Sequence, residues 1–125
     1  MDKQATFDKV VNALMIQNER SAIRVLNEDM STDHEQCQYR GPRGLKCAIG
    51  HLIPDELYDE RMEAKGISTL FADYPSIVEI LDAHTESERE FLIRLQIAHD
   101  EYVPEMWDKA FADVADDYEL EFKPL

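Results

Sequence analysis

The chain has 125 residues, 44% of them hydrophobic, which is enough for one domain with a core of its own. Thirteen basic residues against 27 acidic ones give a net charge of −14; that balance excludes direct binding to nucleic acid or anionic membrane and directs the protein towards basic partners. No apolar run reaches the length of a membrane span and no signal-peptide core is present, so the two cysteines are expected as reduced thiols in a cytoplasm, not as a disulfide framework.

Asp2 to about Glu19 reads as the first helix, with Phe7, Val10, Val11 and Leu14 at i, i+3, i+4 and i+7. Asp2 at its start and Arg20 beyond its end suit the helix dipole. Ser21 to Leu26 is apolar at Ala22, Ile23, Val25 and Leu26 and fits either a helix extension or a strand. Asn27 to Glu35 is polar and turn-rich and predicts a loop.

The next stretch, Cys37 to Asp59, holds both cysteines and the strongest turn signal. Gly41-Pro42-Arg43-Gly44 puts Pro where φ must be near −65° and Gly where the chain must turn left-handed. That chemistry predicts a hairpin over about 36–49 with a three-residue loop, Pro42 to Gly44. Gly41 then faces Leu45, Tyr39 faces Cys47, and Cys37 faces Ile49. One face collects Cys37, Tyr39, Leu45, Cys47 and Ile49; the other collects Gln36, Gln38, Arg40, Lys46 and Ala48. Such a ribbon must lie on helices, because two strands alone are marginal in water. Gly50 ends it, His51 to Pro54 turns the chain, and Pro54 opens a short helix from Asp55 to about Glu63, with Gly66 as its stop.

Ser68 to Tyr74 predicts a turn or so of helix before Pro75. Ser76 with Glu79 has capping-box spacing, placing Ile77, Ile80 and Leu81 inward. Thr85 with Glu88 repeats the box for the longest helix, about Glu86 to Tyr102, whose stripe is Phe91, Leu95, Ala98 and Tyr102 with Leu92 beside it. Pro104 takes the first position of a last helix running to about Tyr118, with Trp107, Ala110, Phe111, Val114 and Tyr118 inward. The expected fold is a single globular domain, residues 1–125, of α+β class and mainly helical. One β-hairpin (about 36–49) lies against four to five helices.

The central residues also carry a resemblance. Cys37, Tyr39, Arg40, Gly41, Pro42, Gly44, Lys46, Cys47, Ala48 and Gly50, followed by Leu52, Ile53, Pro54, Asp55, Glu56 and Tyr58, form a pattern similar to that of small bacteriophage and prophage proteins. The likeness extends more loosely to Phe91-Leu92, Leu95-Gln96, Ala98-His99-Asp100 and Trp107. That family brings no settled activity and no catalytic residues. What the resemblance implies is a phage accessory protein acting in the cytoplasm of a bacterial host.

Candidate chemistry is sparse. His34, Cys37, Cys47 and His51 have the residue types of a two-Cys, two-His zinc site, since the predicted ribbon brings the thiols near each other and leaves a His beyond each strand end. The competing reading, favoured by the apolar face, is two buried free thiols. His99-Asp100 is a dipeptide found in metal-dependent phosphohydrolases; the plainer reading is a helix-surface His beside an acidic turn. Asp113, Asp116 and Asp117 fall at i, i+3 and i+4 on one side of the last helix and continue into Glu119 and Glu121. Like charges at that spacing repel, which a basic partner would relieve and which solubility also explains. Arg43 stands out at the tip of the turn.

The function expected from these features is a non-enzymatic accessory protein that binds and inhibits a basic host protein, such as a defence or nucleic-acid-handling factor. Asp113, Asp116, Asp117, Glu119, Glu121 and Arg43 would form the contact. A zinc-stabilised interaction module and a small metal-dependent hydrolase are the alternatives.

Overall fold

The structure is a computed structural model that describes residues 1–26, 33–63 and 65–123, with the backbone alone at residues 26, 33 and 34. Its class is mainly helical α+β, with one two-stranded antiparallel ribbon among the described residues.

Helix α1, Lys3–Gln17, begins where the Asp2 carboxylate accepts the Ala5 N–H and ends where Asn18 turns left-handed. Its buried stripe is the expected one, Phe7, Val10, Val11 and Leu14. Helix α2, Ile67–Asp73, runs into α3, Pro75–Leu81; α4, Glu86–Glu101, and α5, Trp107–Asp117, complete the helices. The Thr85–Glu88 capping box is fully formed at the start of α4. The Ser76–Glu79 box is not, because Pro75 already occupies the first turn and starts α3 ahead of Ser76. Ile77 and Leu81 are buried as expected, whereas Ile80 faces out.

Helix α4 is the wall between two cores. On one side Phe91, Leu95 and Ala98 meet the α1 stripe and Trp107, Phe111 and Val114 of α5. On the other, Leu92 meets Tyr39, Cys47, Ile49, Ile53, Met62, Leu70, Phe71 and Ile77. The central stretch therefore forms the lid of the second core, and Ala48 alone among its fully buried residues belongs to the first.

The ribbon itself is displaced from its expected place. Strand β1, Ala22–Leu26, pairs with β2, Asp33–Cys37, from Ala22↔Cys37 to Leu26↔Asp33. The hairpin over about 36–49 is corrected by this finding. Its tip does close in the expected register: Gly41 N–H donates to the Leu45 carbonyl at 2.8 Å and Arg40 bridges Lys46. Arg43 (φ 58°) and Gly44 (φ 76°) both turn left-handed there.

The ladder stops at that point for two reasons. The Tyr39 and Arg40 N–H groups are taken by the Glu63 carboxylate at 2.9 and 3.0 Å. Beyond Lys46 the chain coils into a turn in which His51 N–H reaches the Cys47 carbonyl. Gln38 turns instead to Ser21, its N–H donating to the Ser21 carbonyl at 2.8 Å. Further on, the short helix expected over Asp55 to Glu63 is two separate 3-10 turns, Asp55–Leu57 and Glu60–Met62, and Gly66 starts α2 where a helix stop was expected. Pro104 opens a 3-10 turn, Pro104–Met106, one turn ahead of α5.

Candidate functional site

A polar seam ties the ribbon to α4. Ser21 and His99 are both fully buried. Ser21 N–H donates to His99 Nε2 at 3.0 Å, and Ser21 Oγ donates to the Gln38 carbonyl at 2.7 Å. Because Nε2 accepts, the imidazole proton sits on Nδ1, which donates to Asp100 Oδ1 at 2.7 Å. Gln96 Nε2 donates to the same oxygen at 2.8 Å while Gln96 Oε1 accepts the Ile49 N–H. Trp107 lies stacked against the His99 ring, 5.8 Å between centroids. Every hydrogen-bonding atom of the neutral His99 ring is thereby used.

This corrects the reading of His99 as a surface residue. Leu92, Leu95 and His99 stand at i, i+3 and i+7 on α4, and that spacing places His99 on the buried side. It also bears on metal chemistry. Ligand atoms of Cys37, His99 and Asp100 lie within 4.8 Å of one another. A metal on His99 Nδ1 would have to displace a proton that cannot move to Nε2, where Ser21 N–H already points. The ring would become an imidazolate, which zinc-type sites do not require of a lone His. The donor set therefore does not fit a resident metal, and the same bonds leave His99 without a free lone pair for base catalysis.

Of the residues considered for zinc, Cys37, Cys47 and His51 do not converge. His51 sits at the C-terminal end of α1, its Nε2 at 3.1 Å from Gln17 Oε1, and burial pushes its pKa down to about 4. Cys47 is fully buried, its sulfur accepting the Gly50 N–H. Cys37 is half-buried beside Asp100. The His34 side chain lies outside the described residues. Burial raises both thiols to about 12, and the negative charge of Asp100 adds to the effect. Thiols held so far above neutrality are protonated and poorly nucleophilic.

Beside the seam opens a cleft of about 650 Å³. Its walls are residues 35–39, Cys47, the start of α2 with Lys65 ahead of it, and Ile93, Gln96, Ile97 and Asp100 of α4. Composition and spacing did not reveal it, because its walls come from four separated segments. The one legible sign was Gln96 four residues before Asp100, a spacing that lets the two side chains bond on one helix face.

The acidic candidates lie elsewhere. Asp113, Asp116 and Asp117 on α5 are all exposed, as are Glu119 and Glu121. Asp117 pairs with Arg94 at 2.7 Å. The C-terminal segment is laid against α1, with the Glu121 N–H and carbonyl both bonded to the Gln4 amide. Arg43 is not part of this face: it is exposed on the turn and pairs with Glu19 at 2.6 Å.

No protein-family model, no curated protein and no solved structure matches this chain. No helix among the described residues is long and apolar enough to cross a membrane.

Proposed function

We propose that this is a non-enzymatic accessory protein that binds and inhibits a basic host protein through the carboxylates of α5 and the C-terminal segment. The observation that supports this reading is the way the charges are distributed. Arg20, Arg40, Arg43, Arg61, Lys65 and Arg94 are each held by a carboxylate of the chain itself. Asp113 and Asp116 are exposed on the same helix with no ion pair among the described residues. Asp116 and Asp117 also stand at the negative end of the α5 dipole. A cationic partner would relieve both penalties, and carboxylates spaced along a helix offer it what a phosphate backbone offers. The resemblance of the central stretch to phage proteins supplies the setting, a bacterial host cytoplasm.

The test is capture from bacterial lysate with the intact protein and with a variant carrying Asp113→Asn, Asp116→Asn, Glu119→Gln and Glu121→Gln. The reading expects a basic protein retained by the first, lost from the variant, and released as salt is raised. Capture that is indifferent to both salt and the four substitutions overturns it.

A further inference from the structure

The free edge of β2 lies in the 650 Å³ cleft, and the bonding parity of the ribbon determines what that edge offers. Gln38 N–H bonds to Ser21, so the Ser21–Gln38 pair is a hydrogen-bonded one. In an antiparallel ladder the next pair, Ala22↔Cys37, is then non-hydrogen-bonded, and so is Arg24↔Glu35. The N–H and C=O groups of Cys37 and Glu35 therefore point away from β1. Tyr39 has the same parity, and its N–H does point outward, onto Glu63. Glu63 closes the edge at Tyr39. Among the described residues no other strand pairs with β2.

Three further features fit an extended peptide. The cleft runs beside five consecutive residues of this edge, 35–39. Ile93 and Ile97 on its far wall offer apolar contact, and Ile97 is left 38% exposed. The third is a carboxylate with no Lys or Arg ion-paired to it among the described residues. The Asp100 carboxylate accepts hydrogen bonds from Gln96 and from neutral His99, both uncharged donors, while Arg20 reaches only the Asp100 backbone carbonyl, and about a third of the Asp100 side chain is open to solvent.

We propose that this cleft binds an extended segment of a partner protein that adds to β2 as a third strand and directs a Lys or Arg side chain onto Asp100. Backbone bonds to Glu35 and Cys37 give affinity without regard to sequence, and the carboxylate gives the preference for a cation. The site is separate from α5, so it stands whether or not the α5 face binds anything.

An array of random heptapeptides probed with the intact protein tests it. Selected peptides should be enriched in one central Lys or Arg flanked by β-branched residues. N-methylation of alternate peptide nitrogens, which removes the bonds to β2, should weaken binding about tenfold. Glu35→Pro removes one outward N–H, and Pro is tolerated at an edge strand with its nitrogen facing out; it should weaken binding comparably with an unchanged circular dichroism spectrum. Asp100→Asn keeps the acceptor and should abolish the cation preference while neutral peptides still bind. Absence of any selected peptide overturns the proposal, as does binding insensitive to N-methylation or selection without cations. Dimerisation of the free protein that Glu35→Pro abolishes also overturns it, since a second copy would then own the edge. If Glu35→Pro does not fold, the N-methyl series decides alone.

Discussion

His99 joins the apolar stripe of α4 to the polar seam, and its loss has a defined cost. His99→Phe keeps the stacking volume against Trp107 but leaves the buried Ser21 N–H without an acceptor. An unpaired buried donor costs about 2 kcal/mol, so urea unfolding of this variant should show a loss of that order. His51 makes a pH prediction. Its folded pKa is about 4, below the ordinary value of 6.5, so between those values the unfolded chain binds the extra proton. Stability is therefore fully present above about pH 6.5 and is lost as pH falls towards 4. His51→Gln should flatten the decline of the melting temperature between pH 6.5 and 5, and the ring protons of His51 should titrate near 4 by NMR. The burial of His99 was legible in the spacing from Leu92 and Leu95. Its tautomer was not, because that depends on Ser21, far away in the chain.

At the next level, two capping-box sequences stand a few residues apart, and only one becomes a box. Thr85 and Glu88 bond reciprocally at α4, whereas Pro75 starts α3 too early for Ser76. The ribbon shows the same competition. The Pro-Arg-Gly turn closes as its residue types dictate, but a turn does not choose the partner of the strands that leave it. Gln38 bonds to Ser21 and Tyr39 to Glu63, so the strand before the turn is committed elsewhere. Gly50 shows how closely the central stretch is packed around that choice. A Cβ there would overlap the Tyr39 carbonyl oxygen and crowd the Cys47 nitrogen. Both are backbone atoms that cannot swing aside, so Gly50→Ala should destabilise by about 3 kcal/mol or more, read as a lowered urea midpoint. Gly66→Ala, with nothing within 4 Å of the added carbon, is the control and should fold normally.

For the molecule as a whole, the two cores divided by α4 explain how an irregular central stretch is held without a larger sheet: it is a lid whose apolar residues share the wall with Leu92. The surface carries the charge of −14. At that charge the carboxylates repel one another, and salt screens the repulsion beyond about 8 Å at physiological strength. The melting temperature should therefore rise with added sodium chloride, measured by calorimetry at neutral pH. A fall would mean that the ion pairs dominate instead. Residue order alone was sufficient for α1 to α5, the α1 stripe, the Thr85 cap and the acidic face of α5, because each follows from spacing within a few residues, but not for the helix expected over Asp55 to Glu63. The pairing of β2 with β1, the seam from Ser21 to Asp100 and the cleft beside it depend on contacts between segments far apart in the chain. Hydrogen-bond competition for the backbone of residues 36–40 decides them, and that competition exists only once the two cores bring Glu63, Ser21 and α4 together.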